Sequence, residues 1–197
     1  MSETKGIMIV GVGGQGTLLA SRILGSVLTS QGYDVKMSEV HGMSQRGGSV
    51  VTYVKFGERV YSPIIDLGEA DYILAFERLE AARWVPYLKK DGTIILNDRA
   101  IAPMPVITGA MSYPEDIVQK LRDKGVSIIS SDALSMAQDA GNAKSVNVVL
   151  IGVLSALTDF SEEVWQDAIA ACVKPKFLDV NKKAFALGRE YALKKLK

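Results

Sequence analysis

Apolar and polar positions follow two periods along this chain, and the switches between them mark its elements. In "KGIMIVGVGGQGTLLASRIL" (residues 5–24) a continuous apolar run predicts a strand at 7–10, followed by spaced glycines. Leu19, Ile23 and Val27 then recur every fourth residue, with Leu24 and Leu28 beside them, which predicts an amphipathic helix. "QGYDVKMSEV" predicts a turn at Gly32 and a second strand leading to Val40. After a polar, glycine-containing loop, "SVVTYVKFGERVYS" alternates in strand fashion on both sides of Gly57 and Glu58. That pattern predicts a β-hairpin there and a mixed rather than purely parallel sheet.

"ADYILAF" reads as a buried strand, followed by a helix near 77–89, and "GTIILND" as another strand. The two prolines of "RAIAPMPVITG" predict an extended or looped segment. A helix near 114–124 leads into the strand "VSIIS". The last third reads as helical. Val146, Val149, Leu150, Val153, Leu154 and Leu157 trace one face, and Val148 and Ile151 make the other side apolar, so this helix is expected to be buried on most sides. Trp165, Ile169 and Cys172 mark a further helix, and Phe177, Val180, Ala184, Leu187 and Tyr191 a final one. Strands alternating with helices predict an α/β class with a mostly parallel sheet. No linker divides the chain, so the expectation is one domain over residues 1–197.

Composition narrows the function classes. The 197 residues are 48% hydrophobic and 23% charged, ordinary for a globular chain, and the formal net charge of +1 gives no basic field for nucleic acid. A single cysteine, Cys172, cannot form an internal disulfide or hold an iron–sulfur cluster, and one histidine, His41, gives no metal-ligand spacing. The N-terminus does not read as a signal peptide, and the longest apolar run (145–157) is too short to span a bilayer, so the expected setting is the cytoplasm.

The glycines at 11, 13 and 16 have dinucleotide-fingerprint spacing. Gly11 permits a tight turn, Gly13 a close backbone approach to a ligand and Gly16 close helix–strand packing. The helix that follows offers unpaired N–H groups and a positive dipole end to an anion. A nicotinamide enzyme also needs an acid at the end of the second strand, and Glu39 stands near that position. A purely structural turn fits the glycines equally well. Against the nicotinamide reading, Gly14 and Gln15 put an extra glycine and an amide into the turn.

The next loop, "EVHGMSQRGGSV", is the most chemically dense segment of the chain. It holds His41, Ser44, Gln45 and Arg46, braced by Gly42 and the Gly47–Gly48 pair. Open α/β sheets bind ligands at the carboxyl ends of their strands, so this loop is expected beside the glycine turn. Together the two loops suit a phosphate or carboxylate, with Arg46 as the charged fork. Alternatively Arg46 ties down its own loop and His41 caps its strand. No nucleophile–base pair is assembled. Asp98 and Arg99, at another strand end, form a local turn or contact a ligand or partner.

"GVGGQGTLLASRIL", "SEVHGMSQRGGSV", "NVVLIGVLSAL" and "KFLDVNKKAFALGREY" resemble the gamma-type components of the 2-oxoacid:ferredoxin oxidoreductases, with "HGMSQRGG" favouring the indolepyruvate branch. The resemblance implies a three-layer α/β/α, Rossmann-like domain that does not use NAD. It also implies oxidative decarboxylation of a 2-oxoacid with coenzyme A to acyl-CoA, CO2 and reduced ferredoxin. Thiamine diphosphate, magnesium and iron–sulfur clusters are then expected on a larger alpha subunit, and this chain is expected to be inert alone. The nearest approach to a "GDG…N" thiamine signature, Asp91-Gly92 with Asn97, has the wrong context.

Carried onto this sequence, the resemblance implies that Gly13, Gly14, Gln15 and Gly16 form a backbone cradle for coenzyme A. Arg46 is the expected anion contact. His41, Ser44 and Gln45 face the partner's active site, with His41 and Gln45 the catalytic candidates and Ser44 beside the anion. No metal is expected on this chain. Two rivals remain at this point: a stand-alone NAD(P)-dependent oxidoreductase with Glu39 on the ribose, and a non-catalytic scaffold.

Overall fold

The computed structural model describes residues 4–42 and 47–196. In chain order the elements are β1 (Lys5–Val12), α1 (Thr17–Ser30), β2 (Asp34–His41), β3 (Ser49–Gly57), β4 (Ala70–Ala75), α2 (Arg78–Trp84) and β5 (Leu88–Asn97). Then follow α3 (Met104–Ile107), α4 (Ile117–Asp123), β6 (Ser127–Ser131), α5 (Ala133–Ala140), α6 (Val146–Ser155), α7 (Glu162–Cys172) and α8 (Leu178–Lys195). The strands form one sheet in the order β2-β3-β1-β4-β5-β6. β1, β4, β5 and β6 pair in parallel, while β3 is antiparallel to both β1 and β2. The sheet is therefore mixed and mostly parallel, as its sequence pattern implies.

The hairpin expected around Gly57–Glu58 does not form. β3 ends at Gly57, and its hairpin partner is β2, with Val35 opposite Phe56 and Met37 opposite Val54. The alternation beyond Gly57 misleads because only Val60 and Ile65 of that stretch are buried, and Pro63 has no N–H for a ladder. The Val60 amide donates instead to the Asp34 carboxylate at 2.8 Å, and the segment leaves the sheet edge. The hairpin pair is β2 with β3, so the chemically dense segment falls between two consecutive paired strands.

Helices cover both faces. Ile7, Ile9, Leu74, Phe76 and Ile95 face one core with α1 and α5–α8, and Met8, Val10, Ile73, Ile94 and Leu96 face the other with α2, α4 and Ile65. Residues 147–155 of α6 are all buried, as their all-round apolar pattern requires. The segment 101–111 is not wholly extended: it contains α3, whose Pro105 falls in the first turn, where a missing N–H costs nothing. α5 gives little sequence signal because its buried positions are Ala133, Ala137 and Ala140. No described helix is long and apolar enough to cross a membrane.

β2 runs in the same direction as β1, so the carboxyl ends of β1, β2, β4, β5 and β6 and the start of β3 share one edge. The turn at 13–16 and the described ends of the second loop, Gly42 and Gly47–Gly48, both lie there.

Candidate functional site

The glycine turn is braced from inside. Gly11 carries no Cβ because one would stand 2.7 Å from Gln15 Oε1 and 3.0 Å from Phe76 Cβ. Into that space Gln15 folds its amide: Oε1 accepts from the Val12 N–H at 2.7 Å, and Nε2 donates to the Phe76 carbonyl at 3.2 Å. Asn97 Nδ2 donates to the same carbonyl at 3.1 Å, joining the ends of β4 and β5. Gly16 caps α1 with φ 83°, and Asn147 Nδ2, from the start of α6, donates to its carbonyl at 3.1 Å. A side chain at position 16 would collide with that amide at 2.7 Å.

With its side chains turned inward, the turn presents backbone outward. The amides of Gly14, Gly16, Thr17 and Leu18 have no partner among the described residues, and the first turn of α1 carries no acid. Such a terminus favours an anion. The second loop closes against it: Gly13 N–H donates to Gly48 O at 2.9 Å, and Gly47 N–H to Gly13 O at 3.4 Å. The two loops thus form one surface.

Among the described residues, three of the hollows on this edge border the glycine turn, the ends of the second loop or the start of α2. One, of about 470 Å³, lies between Gly13, Gly14, Gly16, Thr17 and Leu18 and the end of β2, with Glu39 and His41 on its wall. Glu39 accepts from the Thr52 hydroxyl at 3.3 Å, and the exposed His41 ring lies with Nδ1 3.1 Å from Gly42 O. The second, of about 480 Å³, runs from Gly14–Gly16 past Phe76 and Asn97 to Leu134 and Val146, with Arg99 and Lys144 on its rim. Neither cation has an ion-pair partner among the described residues. Asp98 is occupied locally, its Oδ1 2.5 Å from Arg78 Nε, whereas Arg99 reaches the hollow.

The third, of about 390 Å³, is roofed by Ile101, Pro103, Met104 and Ile107 and floored by Glu77 and Glu80, which are 2% and 4% exposed. Glu77 caps α2 by accepting from the Glu80 N–H, and its other oxygen accepts from the Tyr113 hydroxyl at 3.2 Å. Neither glutamate is evident from composition, although "FERLE" holds a signal: acids three residues apart straight after a buried strand match a helix start.

The described residues therefore bring Gly13, Gly14, Gln15, Gly16 and His41 to one edge. The candidates Ser44, Gln45 and Arg46 lie outside the described residues. The bracing roles of Asn97 and Asn147 are not legible in the sequence, because their partners, the Phe76 and Gly16 carbonyls, come from distant parts of the chain.

A family model described as pyruvate ferredoxin/flavodoxin oxidoreductase matches residues 6–191. The chain belongs to that family. An indolepyruvate oxidoreductase subunit IorB of Thermococcus kodakarensis is 48% identical over 187 residues, covering 92% of this chain and 93% of the relative. Two solved structures share the fold. The gamma subunit of a keto/oxoacid ferredoxin oxidoreductase from Geobacter sulfurreducens has a TM-score of 0.72 at 24% identity, covering 96% of this chain and 99% of its own. A 2-oxoglutarate:ferredoxin oxidoreductase from Magnetococcus marinus, with 2-oxoglutarate, coenzyme A and succinyl-CoA bound, has a TM-score of 0.73 at 18% identity, covering 98% of this chain but 32% of its own.

In this pyruvate ferredoxin/flavodoxin oxidoreductase family member, burial pushes the Glu77 carboxyl above the usual carboxylate range, against the hydrogen bonds it accepts; the Glu80 charge adds to the rise. The Tyr113 phenol is pushed up to about 12, first by burial and then by the Glu77 charge. A carboxyl whose pKa rises on folding favours the native state while protonated, and that contribution is lost as pH rises through the raised value. Glu77→Gln is therefore expected to gain stability relative to wild type as pH rises from about 4 to about 7. Thermal unfolding of both proteins across that range checks it, and a flat difference contradicts it.

Proposed function

We propose that this chain is the small, cluster-free subunit of an indolepyruvate-type (aryl 2-oxoacid):ferredoxin oxidoreductase. In this reading it completes the active site of a larger subunit and holds the phosphates of coenzyme A. The overall reaction joins the acyl group of the 2-oxoacid to the thiol of coenzyme A, releases CO2 and passes a pair of electrons to ferredoxin. Thiamine diphosphate and iron–sulfur clusters would supply the decarboxylation and the electron route. Neither fits this chain, which has one cysteine, and whose Asp91 sits in the irregular first half of β5 while Asn97 is that strand's last residue.

The observation that carries the reading is the junction of the glycine turn with the second loop. Among the described residues, unpaired amides at the start of a long helix, the Gly47–Gly48 root of the second loop, and a rim bearing Arg99 and Lys144 converge on one edge of a nearly neutral chain. That set binds and orients a polyphosphate. The apolar walls at Phe76, Leu134 and Val146 suit the less polar parts of the same molecule. His41, Ser44 and Gln45 are then the groups offered to the partner's reacting atoms, and the chain excludes water by closing that face.

The test is Arg46→Ala in the complex reconstituted with the larger subunit. The lost charge-assisted contact is expected to raise the apparent KM for coenzyme A about tenfold or more. An unchanged KM together with an unchanged rate would sink the assignment of Arg46.

A further inference from the structure

Glu80 is a buried carboxylate with three donors and no contact with either hollow beside the glycine turn. Its Oε1 accepts from Arg83 Nε at 3.1 Å. Its Oε2 accepts from Trp84 Nε1 at 3.0 Å and from the Ser49 hydroxyl at 2.5 Å. The first two bonds are local to α2. The third spans 31 residues and lands on the first residue of β3, directly after Gly48. Gly48 in turn accepts from the Gly13 amide. A continuous path therefore runs from the buried carboxylate through Ser49 and Gly48 to the glycine turn.

The anchor is rigid at its other end. Glu77 accepts the Glu80 N–H and so fixes the first turn of α2, and α2 packs on β1, β4 and β5. A carboxylate removed from water needs its full set of donors, so the Ser49 hydroxyl is held where Glu80 requires it. Ser49 itself is exposed and adds no apolar burial. The bond's consequence is the placement of the loop root at residues 47–49 against Gly13.

We propose that Glu80 is a positioning residue: through Ser49 it sets the register between the second loop and the glycine turn, and thereby the affinity of that edge for coenzyme A. This rests on the functional reading given above for the two loops. Ser49→Ala removes the link while leaving Glu80 its bonds to Arg83 and Trp84, and Ser49→Thr restores the hydroxyl on a residue suited to a strand.

Two readouts test it: amide hydrogen exchange of Gly13 in the full chain, with Ile9 as internal reference, and coenzyme A kinetics in the reconstituted complex. In Ser49→Ala, Gly13 exchange is expected to rise about tenfold with Ile9 unchanged, and the KM for coenzyme A to rise several-fold while kcat stays within about twofold. Ser49→Thr is expected to return both. Unchanged Gly13 exchange in Ser49→Ala overturns the proposal. Faster exchange with an unchanged KM also overturns it, and Arg46→Ala then separates two cases. If that variant raises KM, the loop's functional reading stands without Glu80; if it does not, that reading fails too.

Discussion

Gly188→Ala is expected to destabilise the protein by about 3 kcal/mol or more, at the upper end of overpacking effects. α6 and α8 touch backbone to backbone. A Cβ on Gly188 would stand 2.0 Å from the Val149 carbonyl oxygen and 2.9 Å from its carbon, and one on Gly152 would stand 2.2 Å from the Phe185 carbonyl oxygen. No side chain can move to relieve either contact, so the helices must part. Parting them strains the Trp165–Phe185 stack, the Arg189–Ser155 bond and the Tyr191–Ser130 bond that ties α8 to the end of β6.

The sign is the informative part. In an exposed helix the same change gains about 1 kcal/mol from propensity alone. Gly25→Ala in α1 supplies the control, because its nearest neighbour is the flexible end of Met37 at 3.0 Å, which can withdraw. Denaturant unfolding is expected to show Gly25→Ala near or above wild type and Gly188→Ala far below it. A Gly188→Ala protein within 1 kcal/mol of wild type would contradict the close crossing.

The sequence pattern reveals what depends on periodicity and hides what depends on contact. β1, β4, β5 and β6 read as apolar runs because each is covered on both faces, and α6 reads as buried because it is apolar all round. The hairpin was misplaced because alternation persists past Gly57 while the hydrogen-bonding partner, β2, lies earlier in the chain. α5 escaped because alanine buries as readily as leucine but scores weakly. The helix crossing at Gly152 and Gly188 is equally silent, since a glycine in a helix reads only as a weak position.

The site divides along the same line. Gly13, Gly14 and Gly16 announce themselves by spacing, and the neighbouring loop by its density of functional groups. The inward fold of the Gln15 amide, the Asn97 and Asn147 braces and the Glu80–Ser49 link are choices of partner across 61, 21, 131 and 31 residues, which no local pattern encodes. The same limit applied to Arg99. As a neighbour of Asp98 it read chiefly as part of a turn, but the fold pairs Asp98 with Arg78 and leaves Arg99 on the rim of the hollow.

The largest functional effect expected is an all-or-none dependence on this chain. If its exposed edge closes the larger subunit's active site, that subunit alone turns over negligibly, because both the phosphate cradle and the wall that excludes water are missing. This chain alone is expected to be equally silent, since its single cysteine cannot hold an iron–sulfur cluster. The most direct measurement is ferredoxin reduction from an aryl 2-oxoacid and coenzyme A, with each chain separately and with both together. The account predicts activity only in the mixture, saturating as this chain is titrated against the larger subunit. Full activity of the larger subunit without it, or NAD-dependent turnover by this chain alone, would contradict the account.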